Sequence, residues 1–97
     1  MTIFSRLAPL ALLAALASPA GAECYADYKA KQDNPLRLHY GVIELSDAAC
    51  QDRDRARAEA EKRIARDGWR LLSLMSTFGS DGLSQRRESA GAYYLRY

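Results

Sequence analysis

The sequence predicts an α+β domain: a small three-stranded mixed sheet in the order β-α-β-β, with one helix packed on one face, behind a cleaved signal peptide. Three observations carry that expectation. Residues 36–45 are rich in strand formers, a charged segment ending near Arg66 has an alanine-lined stripe, and Gly68 launches the apolar run from Trp69 to Phe78.

The amino terminus and Arg6 precede an apolar block, residues 7–17, followed by Ser18-Pro19 and Ala20-Gly21-Ala22. Basic, then apolar, then A-x-A is the order that export and cleavage require, so cleavage is expected after Ala22. Eleven apolar residues fall well short of the roughly 20 that a membrane-spanning helix needs. No stable membrane span is expected after cleavage. Glu23 lies directly before Cys24, which argues against lipid attachment at that cysteine. The chain then divides into a signal peptide (1–22), an N-terminal arm (23–35) and a small α+β domain (36–97), and the expected location is the periplasm.

Without Arg6, 13 Lys and Arg face 12 Asp and Glu, a net charge of +1. One domain of 75 residues has a marginal core unless something braces it. Cys24 and Cys50 both lie beyond the cleavage point, where thiols oxidise, and a disulfide between them is the expected brace. Closing a loop of that length is worth about 3.5 kcal/mol in the chain-entropy model. Neither cysteine belongs to a C-x-x-C pair and His39 is the only histidine, so no metal site and no cofactor is expected.

Residues 23–35 are polar, with Tyr25 and Tyr28 as anchors and a turn at Asn34-Pro35. In the first strand, 36–45, Leu36, Leu38, Tyr40 and Val42 share one side, and Arg37, His39 and Gly41 the other. Gly41 in mid-strand marks a bulge or a close backbone approach, the expected means of turning Ile43 and Leu45 toward the core. His39, with neither a nucleophile nor a second ligand beside it, reads as a strand-surface histidine.

Ser46 or Asp47 is the expected cap of the helix, which runs to about Arg66 with Asp52 and Asp54 early and Arg63 and Arg66 late, as the helix dipole favours. Arg57 with Glu61, and Glu59 with Arg63, are spaced four apart. The inward stripe is Ala49, Arg53, Ala56, Ala60 and Ile64, thin enough to sit close to a sheet. Gly68 is expected to end the helix in a left-handed conformation.

The second strand, 69–78, is apolar on both sides, so the side away from the helix must meet the arm, a partner or solvent. Residues 79–82 form a turn, and the polar stretch 83–91 opens at most a short strand. Residues 92–97 are the expected last strand. A right-handed crossover makes the first two strands parallel, with the last antiparallel between them.

Tyr40-Gly41-Val42-Ile43, Gly68-Trp69-Arg70-Leu71 and Tyr93-Tyr94-Leu95-Arg96 together resemble the elements of DUF4177-type domains, marked by Gly-Trp-x-Leu. The resemblance covers about residues 36–97 and implies a compact β-α-β-β unit, with no catalytic residue to carry over. Arg70 stands where that family more often has Glu. The exported part is also similar to small alphaproteobacterial proteins, which fits the periplasm.

Catalysis requires convergent groups, and here the acids lie mostly on the charged helix face or in turns while the serines have no histidine beside them in sequence. Near-neutral charge and export argue against nucleic acid. The function expected is a periplasmic accessory or protein-interaction module without catalytic activity. A small-molecule or peptide binding domain is the alternative, and an enzyme of unknown class ranks below it. The expected interaction surface is Trp69, Leu71 and Met75 with Arg37, Arg70 and Arg96 as polar anchors, meeting a second copy or an envelope protein.

Overall fold

The computed structural model describes residues 23–97. The expected signal peptide, 1–22, lies outside the described residues. Among the described residues the fold is α+β, with three strands, β1 (Cys24–Gln32), β2 (Arg37–Leu45) and β3 (Arg70–Phe78), and two helices, α1 (Arg53–Ile64) and α2 (Leu83–Ala90). Short 3-10 turns lie at Asp47–Gln51, Ala65–Asp67, Ser80–Gly82 and Gly91–Tyr93.

The sheet order is β2-β1-β3, and β1 is antiparallel to both neighbours. β2 and β3 are therefore parallel to each other with an antiparallel strand between them, as expected, but the intervening strand is not residues 92–97. It is the segment read as an arm. β1 alternates Ala26, Tyr28 and Ala30, all fully buried, with Asp27, Lys29 and Lys31. Its polar residues conceal a central strand because the charge of Asp27 is satisfied only in the folded chain.

The C-terminal segment instead makes a single parallel bridge, Tyr94 to Val42, at the outer edge of β2. Leu95 N–H donates to Val42 O at 2.9 Å. Gly91 (φ 53°) and Leu95 (φ 54°) lie in the left-handed region and interrupt any extended run, which is why the Tyr93, Leu95, Tyr97 alternation does not become a strand.

One sheet face packs on α1. Ala49, Ala56, Ala60 and Ile64 are buried against Ala26, Tyr28, Ala30, Ile43, Leu71 and Leu74, so the alanine stripe does bring the helix close. α1 begins later than expected. Residues 47–51 form a 3-10 turn, and Asp52 is the cap, accepting from Asp54 N at 3.0 Å and Arg55 N at 3.3 Å. Ser46 Oγ instead donates to Glu59 Oε2 at 2.5 Å. Arg57–Glu61 forms as expected at 3.8 Å, whereas Glu59 pairs with Arg55 at 3.6 Å and Arg63 reaches the Glu44 and Tyr97 carbonyls. Gly68 ends the helical segment at φ 81°, as the sequence implies.

The disulfide joins Cys24, at the start of the central strand, to Cys50 in the turn before α1. It ties the sheet to the helix that covers it.

The opposite face is half-covered by α2, a helix in the stretch expected to be at most a short strand. Ala90 is buried, and Arg86 lies over the Phe78 ring at 4.0 Å. The sequence hides this helix because its anchorage is one arginine and one alanine rather than an apolar stripe.

Candidate functional site

β2 presents its faces the opposite way from the apolar alternation. Leu36 and Leu38 are 62% and 65% exposed, while His39, Gly41, Ile43 and Leu45 face α1. No register shift occurs at Gly41; the close approach is made by a side chain. Tyr28 of β1 lies across Gly41, where a Cβ would sit 2.5 Å from its Oη and 2.6 Å from its Cζ. Glycine is required there by space, and the ring it admits sets which side of β2 is inside.

The Tyr28 hydroxyl reaches His39 Nε2 at 2.9 Å. The imidazole is 9% exposed, stacked on Tyr93 at 3.6 Å between centroids, and met edge-on by Trp69 at 4.3 Å. Burial, with the Arg96 charge second, lowers its pKa to about 4, so it is neutral at pH 7. Burial likewise raises Tyr28, which stays a phenol. His39 is thus a core residue and not a strand-surface one, with Nδ1 buried and free of any hydrogen-bond partner.

Three expected site residues converge on this cluster. Trp69 forms one wall, Arg37 lies 5.6 Å from the Trp69 ring, and Arg96 lies 5.7 Å from Tyr93 and 5.9 Å from Tyr97. The other three do not join it. Leu71 is buried beneath α1, Arg70 is exposed opposite Lys31, and Met75 is exposed. Two register shifts in the β1–β3 pairing skip Leu72 and Met75, so strict alternation fails and Leu71 and Leu74 both turn inward. Trp69 and Leu71 are 7% and 6% exposed, covered by their own chain. The expected exposed strip of Trp69, Leu71 and Met75 therefore does not exist.

A second buried cluster, this one ionic, lies on the other sheet face. Asp27 accepts from Tyr40 Oη (2.7 Å), Ser76 N (3.0 Å), Ser76 Oγ (2.7 Å) and Arg86 Nε (2.9 Å). Burial pushes the Asp27 carboxyl up, but the hydrogen bonds from Ser76, Tyr40 and Arg86 outweigh it and hold it below the ordinary range. Tyr40, buried and bonded to that carboxylate, is pushed up to about 12. A carboxylate held by four donors anchors α2; it is poorly suited to take a proton. The sequence signal was the lone acid in β1's Tyr-Ala-Asp-Tyr.

Beyond α2 the same face is open. A shallow trough of about 310 Å³ runs between Leu38 and Leu72, with Lys29 and Tyr40 along it. By the pleat, Lys31 and Arg70 share the side of Asp27 and Lys29. A larger hollow, about 490 Å³, lies between the end of β2 and α1, where Glu44 and Glu59 mix with Lys62, Arg63 and Arg66. Its opposite charges give it no single preference. Among the described residues no group of acids, cysteines and histidine is clustered to hold a metal, and no helix is long and apolar enough to cross a membrane.

Comparison with protein-family models, curated proteins and solved structures finds no match to this chain.

Proposed function

We propose that this protein is a periplasmic interaction module that works through the uncovered half of its sheet and performs no chemistry of its own. The observation that carries the reading is Leu38 and Leu72 standing exposed beside Lys29, with Leu36 exposed in the adjoining turn, on a face that α2 covers only in part. The two buried ionisable clusters support it. His39 is walled in by aromatic rings, and Asp27 is saturated with donors. The Cys24–Cys50 disulfide suits an oxidising compartment. Kinship with DUF4177-type domains, on Gly68-Trp69-Arg70-Leu71, belongs to the same proposal.

The test is site-specific photocrosslinking in cells. A crosslinker at Leu38 should yield adducts that one at Arg57, on the outer side of α1, does not. Equal yields at both positions, or none at Leu38, would reject the module. The trough favours one alternative, a small apolar ligand with an anionic group set against Lys29. Native mass spectrometry of the purified oxidised protein would reveal it as a discrete added mass.

A further inference from the structure

We propose that the open end of the sheet docks onto an anionic lipid surface, with the β1–β2 hairpin leading. The inference rests on the interaction-module reading and names its partner.

The hairpin turn carries Pro35 and Leu36 outward, and Leu38 is exposed at the start of β2, next to the exposed Arg37. Leu36 and Leu38 are the two most exposed large apolar side chains among the described residues, Leu36 in the hairpin turn and Leu38 beside the open trough. Leu72 adds a third apolar group, 46% exposed, because the register shift beside it drops it out of the β1–β3 ladder. Exposed leucines at the end of a hairpin, with basic side chains beside them, suit insertion among acyl chains at a charged surface.

Charge selects the kind of surface. Lys29, Lys31 and Arg70 lie on the same face as the leucines, and Arg37 flanks the hairpin on the other. Asp33 pairs with Lys31 at 3.4 Å, and the remaining acid of this face, Asp27, is buried and bound to Arg86. Short apolar anchors hold a membrane weakly alone and firmly when joined to a basic patch. An acidic protein segment would satisfy the bases but leaves the outward leucines of the tip without a partner surface. Anionic lipid satisfies both.

Residues 23–97 contain both helices, all three strands, the core and the disulfide, so the oxidised mature chain is the molecule to test. It would be mixed with vesicles of phosphatidylcholine alone, or with one third phosphatidylglycerol, and sedimented. Partition into the anionic vesicles should be at least tenfold stronger and should fall as salt rises. Lys29→Glu and Arg70→Glu should each weaken it roughly fivefold or more. Leu38→Asp should weaken it at least tenfold, with Leu38→Ser giving a smaller loss; Leu38 is solvent-facing in the folded chain, so circular dichroism of both variants should be unchanged. Arg57→Glu, on α1, should have no effect.

Equal partition into neutral vesicles, no partition at all, or equal losses in Arg57→Glu and Lys29→Glu would overturn the proposal. So would crosslinks from Leu38 to a protein with no vesicle binding. That last result would leave the interaction module standing, whereas absence of any Leu38 adduct rejects both.

Discussion

Lowering the pH from 7.5 to 4.5 should destabilise the folded protein by about 2–3 kcal/mol through His39 alone. The imidazole titrates near 6.5 when unfolded and about 4 in its aromatic enclosure. Because the unfolded chain binds the proton more readily, stability from this group is complete above pH 6.5 and declines as pH falls toward 4. The full difference in pKa corresponds to about 3 kcal/mol, most of which is reached by pH 4.5. Asp27 and Glu59 have lowered values, so their contributions are lost only below the ordinary carboxylate pKa, mostly beneath this window.

The perturbation is His39→Phe, which keeps a ring between Tyr93 and Trp69 but cannot take a proton. It also leaves the Tyr28 hydroxyl unpaired, about 1–3 kcal/mol at every pH, so the comparison must be of slopes. Urea unfolding of oxidised protein at pH 7.5, 6.5, 5.5 and 4.5 supplies them. The wild type should lose about 2–3 kcal/mol more than the variant across that range. Parallel pH profiles, or a histidine titration midpoint near 6.5 by NMR in the native protein, would refute the enclosure.

Three further outcomes are expected. Replacing both Cys24 and Cys50 with serine should lower stability by about 3.5 kcal/mol, read by denaturant midpoint, since the bridge closes a separation of 26 residues. Gly41→Ala should destabilise by about 1–3 kcal/mol or more because its methyl would overlap the Tyr28 ring, and pairing it with Tyr28→Leu should recover part of that loss. Arg86→Met should weaken the fold by about 2 kcal/mol, since Asp27 loses its charged partner while keeping Tyr40 and Ser76, and amide exchange should accelerate in residues 83–90 before the rest of the chain.

The two exposed leucines at the hairpin show why periodicity alone misassigned the faces of β2. In β2 the alternation Leu36, Leu38, Tyr40, Val42 reads as the core side, yet the core lies on the side of His39 and Gly41. A strand's phase is decided by what packs over it, and here Tyr28, from a strand with little apolar signal, fills the space that Gly41 leaves. In β3 two skipped residues break the period, burying Leu71 and Leu74 together and exposing Leu72 and Met75. Trp69, Arg37 and Arg96, expected on an apolar interaction strip, gather instead around His39 within the chain.

By itself the sequence determined features that depend on local chemistry. These are the two cysteines available to pair, the left-handed stop at Gly68, the alanine stripe of α1, and two parallel strands joined through it with a third between. Only the tertiary structure decided which segment is that middle strand, which side of β2 is inside, and that residues 83–90 fold as a helix over the second face. The physical reason is common to all three. Each depends on a contact between side chains distant in sequence, Tyr28 over Gly41 or Arg86 against Asp27, whose energy exists only once the strands have met.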